Sequence, residues 1–250
     1  MKMKNILVKT GLMILVGTFC SFSEAPVTDD APVYHVGKLK KPMKIDADWN
    51  KAQWKNVRSI NITNYMGTVP EFKPETQVKM LYDNDYVYVI FHVKDRYVKC
   101  ITDRINGPVW QDSAVEFFFA PDPRLPLLYF NLETNCGGTP LLSYNLVPRK
   151  ESKRIDLDDI KKVEIASTLP KIIDPEISNP VEWTLEYRIP LDVLEKYSNA
   201  ARPQKGVEWK ANFYKIAEIT SNPHYITWAE VINEKPDFHR PEFFGRLIFD

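Results

Sequence analysis

The sequence predicts an all-β protein, an antiparallel β-sandwich of jelly-roll type with few short helices. Three observations predict this class. Many short segments alternate apolar and polar residues, helical periodicity is scarce, and 19 prolines stand against nine glycines. Alternation places successive side chains on opposite faces of a strand. Short strands joined by rigid, proline-rich turns are typical of a sandwich.

The chain is long enough for a substantial core, since it has 250 residues of which 44% are hydrophobic. A β-sandwich of roughly 200–250 residues can form one unit. We therefore predict a single domain over 34–250, preceded by a flexible lead-in at 24–33 that is rich in Pro and Asp. Lys+Arg and Asp+Glu both number 33, and this balance argues against a nucleic-acid partner.

Residues 1–23 have the order of a secretory signal peptide: a basic start, a short apolar run and then small residues. Ser21 and Ser23 fit the small-residue rule, so we predict cleavage after Ser23. The apolar run is shorter than the ~20 residues that span a bilayer. We expect an exported protein, periplasmic, secreted or on the cell surface. Lipidation of Cys20 is the less favoured route because bulky Phe19 precedes it.

Two cysteines, Cys100 and Cys136, remain after that cleavage. One disulfide and two ordinary buried thiols are both compatible with the sequence. No CxxC, HExxH or histidine cluster is present, so no structural zinc site is predicted. We interpret His92, His224 and His239 as hydrogen-bonded structural histidines.

The clearest local element is a hairpin over 76–95, in which two strand-like runs flank a turn at 83–85. The second run is apolar on both faces, so it is predicted to be a central strand covered on both sides. A short helix is predicted at 191–197, after Pro190. Further strands are predicted at 114–119, 128–135, 182–190, 208–217, 226–231 and 244–249.

The predicted strand 114–119 carries a carboxylate within an apolar run. Val115 and Phe117 would face the core, and Glu116 would face the opposite side. If the neighbouring strands are adjacent, four polar side chains share that side: Asn131, Glu133, Asn212 and Tyr214. Carboxylates and amides can satisfy sugar hydroxyls, and Trp110, in the turn before the strand, could stack on a sugar ring. Taken singly, Trp110 also fits a buried core residue, and Glu116 also fits an ion-paired residue on the surface.

Seven segments together resemble the family 9 carbohydrate-binding modules of the DOMON-like β-sandwich superfamily, specifically secreted stand-alone members. They occur in the family's order and cover nearly all of 36–250. The segments are IDADWNKAQW (45–54), VKMLYDNDYVYVIFHVKD (78–95), VWQDSAVEFFFAPD (109–122), YFNLETNCGG (129–138), WTLEYRIPL (183–191), WKANFYK (209–215) and PDFHRPEFFGRLIF (236–249).

The resemblance implies a non-catalytic protein that holds a sugar end between two aromatic rings, with Glu, Asn and Arg hydrogen bonds. The matching residues here are Trp110 and Glu116 as first aromatic and carboxylate, Asn212 as amide, Tyr214 or Trp228 as second aromatic, and Arg149, in the loop after the 129–135 strand, as arginine. The implied partners are an oligo- or polysaccharide and a separate glycan-degrading enzyme. Structural calcium is also implied, with ligands that the sequence does not identify.

Three other functions are alternatives to sugar binding. A glycoside hydrolase would use Asp112 and Glu116 as its carboxylate pair, which must stand about 5–10 Å apart. A haem protein would need an axial ligand such as His92 with Met66 or Met80. A structural or protein-interaction module would use the same sheet face as an apolar groove for another protein.

Overall fold

A computed structural model describes residues 31–250. The predicted signal peptide and residues 24–30 of the lead-in lie outside this range and stay predictions. None of the helices in the described range is long and apolar enough to cross a membrane.

The strands are β1 Val33–Lys38, β2 Ile60–Ile62, β3 Asn64–Tyr65, β4 Glu75–Tyr82, β5 Tyr86–Asp95, β6 Val98–Cys100, β7 Ala114–Ala120, β8 Tyr129–Asn135, β9 Pro140–Val147, β10 Glu151–Arg154, β11 Glu164–Ser167, β12 Ile173–Ile177, β13 Val181–Pro190, β14 Glu208–Ala217, β15 His224–Thr227 and β16 Gly245–Phe249. The helices are α1 Ala52–Lys55, α2 Leu157–Ile160 and α3 Leu191–Tyr197, with single 3₁₀ turns at Val109–Gln111 and Pro241–Phe243.

Two sheets form the sandwich, which confirms the predicted fold class. The first, here the site sheet, has the order β10-β9-β8-β7-β14-β16-β1, and the second, the back sheet, has the order β1-β4-β5-β13-β11. Strand β1 belongs to both: Val33 pairs with Arg246 of β16, and Gly37 pairs with Leu81 of β4, both in parallel. The other strand pairs of the described chain are antiparallel. Val33, assigned to the lead-in, is therefore already part of the sheet.

The inner faces of the two sheets meet in an aromatic core. Phe117 of β7 and Phe213 of β14 stack with ring centroids 4.8 Å apart. Phe91 of β5 meets Phe213 edge-on at 6.1 Å from across the sandwich. These are the faces that the alternation predicted to be inward. Burying each such ring stabilises the fold by roughly 1.5–3 kcal/mol.

Both outer faces are covered as well, which explains why the central strands are apolar on both sides. On the back sheet, Tyr88 and Ile90 of β5 lie under Trp54 and its neighbours from the segment 39–57. On the site sheet, Phe118 of β7 lies in a second cluster with residues of the C-terminal loop 228–244. The predicted two-sided burial of the second run of the hairpin, β5, is confirmed, and the hairpin turn lies at 83–85.

A buried carboxylate attaches the segment 45–54 to the back sheet. Glu186 of β13 is fully buried. Its Oε2 accepts the backbone N–H of Asp46 and of Ala47 at 2.9 and 2.8 Å, and its Oε1 accepts Nε1–H of Trp54 at 2.8 Å. Lys51 Nζ lies 2.7 Å from Oε1 and supplies the counter-charge. Both carboxylate oxygens are therefore satisfied by this segment.

Two predicted elements differ in detail, and one is confirmed. Helix α3 at Leu191–Tyr197 is confirmed. The strand predicted at 226–231 is β15, which starts at His224 and ends at Thr227. The chain leaves the sheet after Thr227, where the N–H of Ala229 donates to the side-chain Oδ1 of Asn212 at 2.8 Å. Strand β9, which was not predicted, becomes part of the cavity floor described below.

The two cysteines of the described chain lie side by side as free, buried thiols. Cys100 Sγ–H donates to the carbonyl of Lys171 at 3.2 Å. A hydrogen bond with Cys100 and burial together raise the pKa of the Cys136 thiol well above its usual value.

Replacing Glu186 with Ala should destabilise the protein by about 3 kcal/mol, because two backbone N–H groups and the Trp54 indole lose their buried acceptor and Lys51 loses one of its two carboxylate partners. The midpoint of urea unfolding would report the loss. Glu182→Ala is the matched control, since Glu182 lies on the same strand with its side chain 63% exposed. Equal midpoints for the two variants would show that Glu186 does not hold the 45–54 segment in place.

Candidate functional site

A cavity of about 300 Å³ opens on the outer face of the site sheet. Its floor comes from β7, β8 and β9, and its walls come from the turn that carries Trp110, from Arg149 and from the loop 236–239. The other side chains on the floor and walls are Glu116, Phe118, Asn131, Glu133, Leu141, Ser143, Asn145, Ser152, Arg154, Ile216, Glu218 and Tyr225.

Two carboxyl groups stand side by side on the floor. Antiparallel pairing of β7 and β8 places Glu116 directly opposite Glu133. On its other side Glu116 pairs with Tyr214 of β14. Directly opposed side chains have Cβ atoms about 4.5–5.5 Å apart. Both glutamates are buried, with 2% and 5% of their surfaces exposed.

An amide relay orients one of these carboxyl groups. Asn145 Nδ2 donates to Oδ1 of Asn131 at 2.6 Å, and Asn131 Nδ2 donates to Oε1 of Glu133 at 2.7 Å. These three residues lie on neighbouring strands, β9 and β8, with their side chains on the same face. The relay holds Oε1 of Glu133 and leaves its Oε2 for other donors.

One oxygen of each glutamate lacks a donor. Within residues 31–250, Glu116 Oε1 and Glu133 Oε2 are buried and have no hydrogen-bond partner. A buried polar group without a partner costs about 1–3 kcal/mol in proteins. Burial, reinforced by the charge of Glu133, raises the pKa of Glu116 well above its usual value. Burial also raises the pKa of Glu133 to about 7. The floor is thus short of donors.

The turn that carries Trp110 is fixed by an aspartate. Asp112 is fully buried. Its two oxygens accept the backbone N–H groups of Ile101 and Thr102 at 3.0 Å each, and Nδ2 of Asn135 donates to it at 2.8 Å. The Trp110 ring is left partly exposed at the side of the cavity.

The rim carries charged and polar groups that are mostly paired. Arg149 Nε donates to Oδ1 of Asp237 at 2.8 Å. Arg154 donates to Ser143 Oγ at 3.1 Å. His239 shares a 2.7 Å hydrogen bond with the hydroxyl of Tyr129. Burial and the nearby guanidinium of Arg149 lower the pKa of His239 to about 4, so this histidine is neutral at pH 7.

Five of the eight residues predicted for the site line this cavity, and three do not. Those that line it are Trp110, Glu116, Asn131, Glu133 and Arg149. Arg149 lies in the turn between β9 and β10, one strand later than predicted. Asn212 is buried under the C-terminal loop, where its amide bonds both the N–H and the carbonyl of Ala229.

The two residues proposed as the second aromatic are also enclosed. Tyr214 stacks on Phe238 with ring centroids 4.1 Å apart, and its hydroxyl donates to the Phe238 carbonyl at 3.1 Å. Trp228 packs on Phe213 at 5.7 Å in the core of the sandwich. It fills the space above Gly245, where a Cβ would come within 2.6 Å of its ring. The rings that do line the cavity with Trp110 are Phe118, Tyr225 and Phe238.

Several lining residues were missed by the sequence reasoning. Ser143 and Asn145 belong to β9, whose inward residues Leu142 and Tyr144 are buried in the core. That alternation was available in the sequence over 140–147 and could have placed them. The loop 236–239 has no such periodicity. His239, interpreted as structural, lines the cavity.

The structure does not bring together the residues proposed for a glycoside hydrolase or those proposed for a haem site. Asp112 uses its oxygens on backbone and amide donors and does not line the cavity, so it cannot pair with Glu116 there. Met80 is buried inside the sandwich and Met66 lies on the outer face of the site sheet. His92 lies against Trp49 on the back sheet, so no haem pocket unites these groups.

Comparison with known proteins decides the family. Residues 41–249 match carbohydrate-binding family 9. The chain belongs to this family. No match was found among curated proteins.

Solved structures of proteins from two organisms share the fold of this chain. A proposed carbohydrate-binding protein from Bacteroides uniformis aligns with a TM-score of 0.79 and 24% identity, over 88% of this chain and 100% of that one. A family 9 module from Caldicellulosiruptor kristjanssonii in complex with glucose aligns with a TM-score of 0.59 and 15% identity, over 88% and 96%. The same module in complex with cellotriose gives 0.59 and 15%, over 87% and 93%.

No side-chain ligands can be assigned within residues 31–250 to the calcium that the resemblance implies. Among residues 31–250, no group of three or more His, Cys, Asp or Glu side chains could hold a metal ion. Calcium in this family 9 chain stays a prediction without assigned ligands.

The Glu116–Glu133 pair should make stability fall as pH rises from about 4.5 to 7. In that window the folded protein retains a proton on Glu133, whose pKa is about 7, while the unfolded chain releases it. The native state thus binds more protons, and its stability decreases with pH. A raised pKa of this size corresponds to roughly 3 kcal/mol.

Urea unfolding at pH 4.5, 6 and 8 would measure that fall. Glu133→Gln resembles the protonated side chain, so its stability should fall much less. Glu230→Gln, at an exposed site, should follow the wild type. Parallel curves for all three proteins would show that the floor carboxyl groups titrate normally.

Proposed function

We propose that this family 9 protein is an exported, non-catalytic carbohydrate-binding protein whose cavity takes the end of a glycan. One observation carries the proposal. Two buried carboxyl oxygens, on Glu116 and Glu133, lack donors at the floor of a cavity with a partly exposed Trp110 ring at its side. A sugar is a neutral, water-soluble ligand with many hydroxyl groups, and each hydroxyl can donate a hydrogen bond.

In the proposed complex, the floor and the walls of the cavity have different roles. Glu116 and Glu133 accept hydroxyl protons, and the amide relay through Asn131 keeps Glu133 in place before the ligand arrives, which limits the entropy lost on binding. The face of Trp110 is electron-rich and suits the C–H groups of a sugar ring. Tyr225, which is half-buried, replaces the predicted second aromatic.

The cavity volume limits the ligand to a small unit. About 300 Å³ lies at the lower end of the ~300–1,000 Å³ of small-molecule sites. This supports recognition of a terminal sugar with the rest of the glycan outside. The glucose and cellotriose complexes of the Caldicellulosiruptor module make glucose and short glucans the first ligands to test. The predicted signal peptide supports export, and the family resemblance implies a separate glycan-degrading enzyme as a partner.

Trp110→Ala should weaken sugar binding by at least about tenfold, which corresponds to 1.4 kcal/mol. Calorimetry on residues 24–250 with glucose, cellobiose and cellotriose at millimolar concentration would measure it. Trp49→Ala is the matched control, because Trp49 is also partly exposed but packs on the back sheet. Equal loss in both variants, or none in either, would place the sugar elsewhere.

Hydrolysis is the second candidate function, because Glu116 and Glu133 form a close carboxyl pair with raised pKa values. A retaining glycosidase needs carboxyl groups about 5–5.5 Å apart, one of them ionised as nucleophile. Here burial disfavours the charge on both. We expect no release of reducing sugar from cello-oligosaccharides over a day, in the wild type or in Glu116→Gln. Turnover that disappears in this variant would establish an enzyme.

A further inference from the structure

Within residues 31–250, no cationic side chain contacts the open carboxyl oxygens at the floor of the cavity. The two cations of the lining are both engaged at the rim: Arg149 with Asp237, and Arg154 with Ser143. Neither guanidinium hydrogen-bonds the open oxygens of Glu116 and Glu133, which have no hydrogen-bond partner within residues 31–250.

The contrast with Glu186 shows how this fold satisfies a buried glutamate. Glu186 receives two backbone N–H groups, an indole N–H and the ammonium of Lys51. Glu116 and Glu133 lie equally deep, side by side, with an amide on one of them. A neutral ligand would supply donors to a pair that burial keeps mostly protonated, whereas a cationic ligand would also supply the direct counter-charge that lets the pair ionise.

The formal charges of the side chains that line the whole cavity also bear on the ligand. Its acids are Glu116, Glu133, Glu218 and Asp237, and its bases are Arg149 and Arg154. His239 is neutral at pH 7 because burial lowers its pKa to about 4. Glu218 and Asp237 formally balance the two guanidinium groups, so each floor carboxyl that ionises makes the lining net negative, which favours a cationic sugar over an anionic one.

We propose that the saccharide end bound by this protein carries a primary amine, as in a 2-amino-2-deoxyhexose, and that its ammonium lies between the carboxyl groups of Glu116 and Glu133. An ammonium has three N–H donors, enough for both open oxygens, and its charge neutralises the pair. The pyranose ring then lies between Trp110 and the opposite wall. This inference rests on the proposed sugar-binding function and narrows its ligand class.

The test is calorimetry at pH 6.0 with four monosaccharides: glucosamine, glucose, N-acetylglucosamine and glucuronate. At this pH the amine is protonated, since such amines titrate near the α-amino range of about 7.7–8.0. Glucosamine should bind at least about tenfold more tightly than each of the other three. Its binding should also release protons, because the ammonium drives ionisation of the floor. Titrations in two buffers with different ionisation enthalpies count those protons.

Variants separate the floor from the rim. Glu133→Gln keeps the shape but removes the charge, so its affinity for glucosamine should fall about tenfold more than its affinity for glucose. Glu218→Gln, at the half-buried edge of the same cavity, should change the preference by less than about threefold. Circular dichroism would confirm that both variants fold.

The outcomes are distinct. If glucose or N-acetylglucosamine binds as tightly as glucosamine, the protein binds sugars but the amine inference is wrong. If glucuronate binds best, the arginine rim decides the ligand, and the inference is also wrong. If none of the four binds at millimolar concentration while the protein is folded, the proposed sugar-binding function fails together with the inference.

Discussion

The central strands of this protein are buried on both faces, and this constraint determines where its polar side chains can be placed. In a strand with one wet face, a glutamate simply faces water. In β7, Phe117 faces the partner sheet and Glu116 faces a second apolar layer. A carboxyl group in that position must be satisfied by whatever covers the sheet, or by a ligand. The two outer faces show both solutions.

On the back sheet the covering segment supplies every donor. Glu186 binds the segment 45–54 through its backbone, its indole and its lysine. Asp112 is treated in the same way by backbone N–H groups beside β6. On the site sheet the C-terminal loop covers Asn212 and Tyr214 but leaves Glu116 and Glu133 uncovered, at the floor of a cavity. Among these four carboxylates, the two with complete hydrogen bonding are structural, and the two with an incomplete set form the candidate binding site.

Much of this arrangement could be predicted from the sequence. Period-two alternation correctly assigned the faces of β5, β7, β13 and β14, and a family resemblance across 36–250 indicated the fold that the comparisons confirmed. The same alternation put Asn131 and Glu133 on the side that Glu116 faces, on the condition that their strands are adjacent, and the pairing of β7 with β8 meets that condition. It also placed Asn212 and Tyr214 on that face, yet neither lines the cavity. A strand pattern tells which face a side chain occupies but not which loop lies over that face.

The walls of the cavity could not be predicted for a related reason. The loop 236–239 and the turn at Arg149 have no periodicity, and they approach the floor from strands far apart in sequence. The sequence by itself determined the alternation of each strand, and with it the inward phenylalanines and the outward carboxylates, because side-chain direction follows from the local backbone. Only the tertiary structure decided that two glutamates stand together with open oxygens. That outcome depends on strand pairing and loop packing between distant residues.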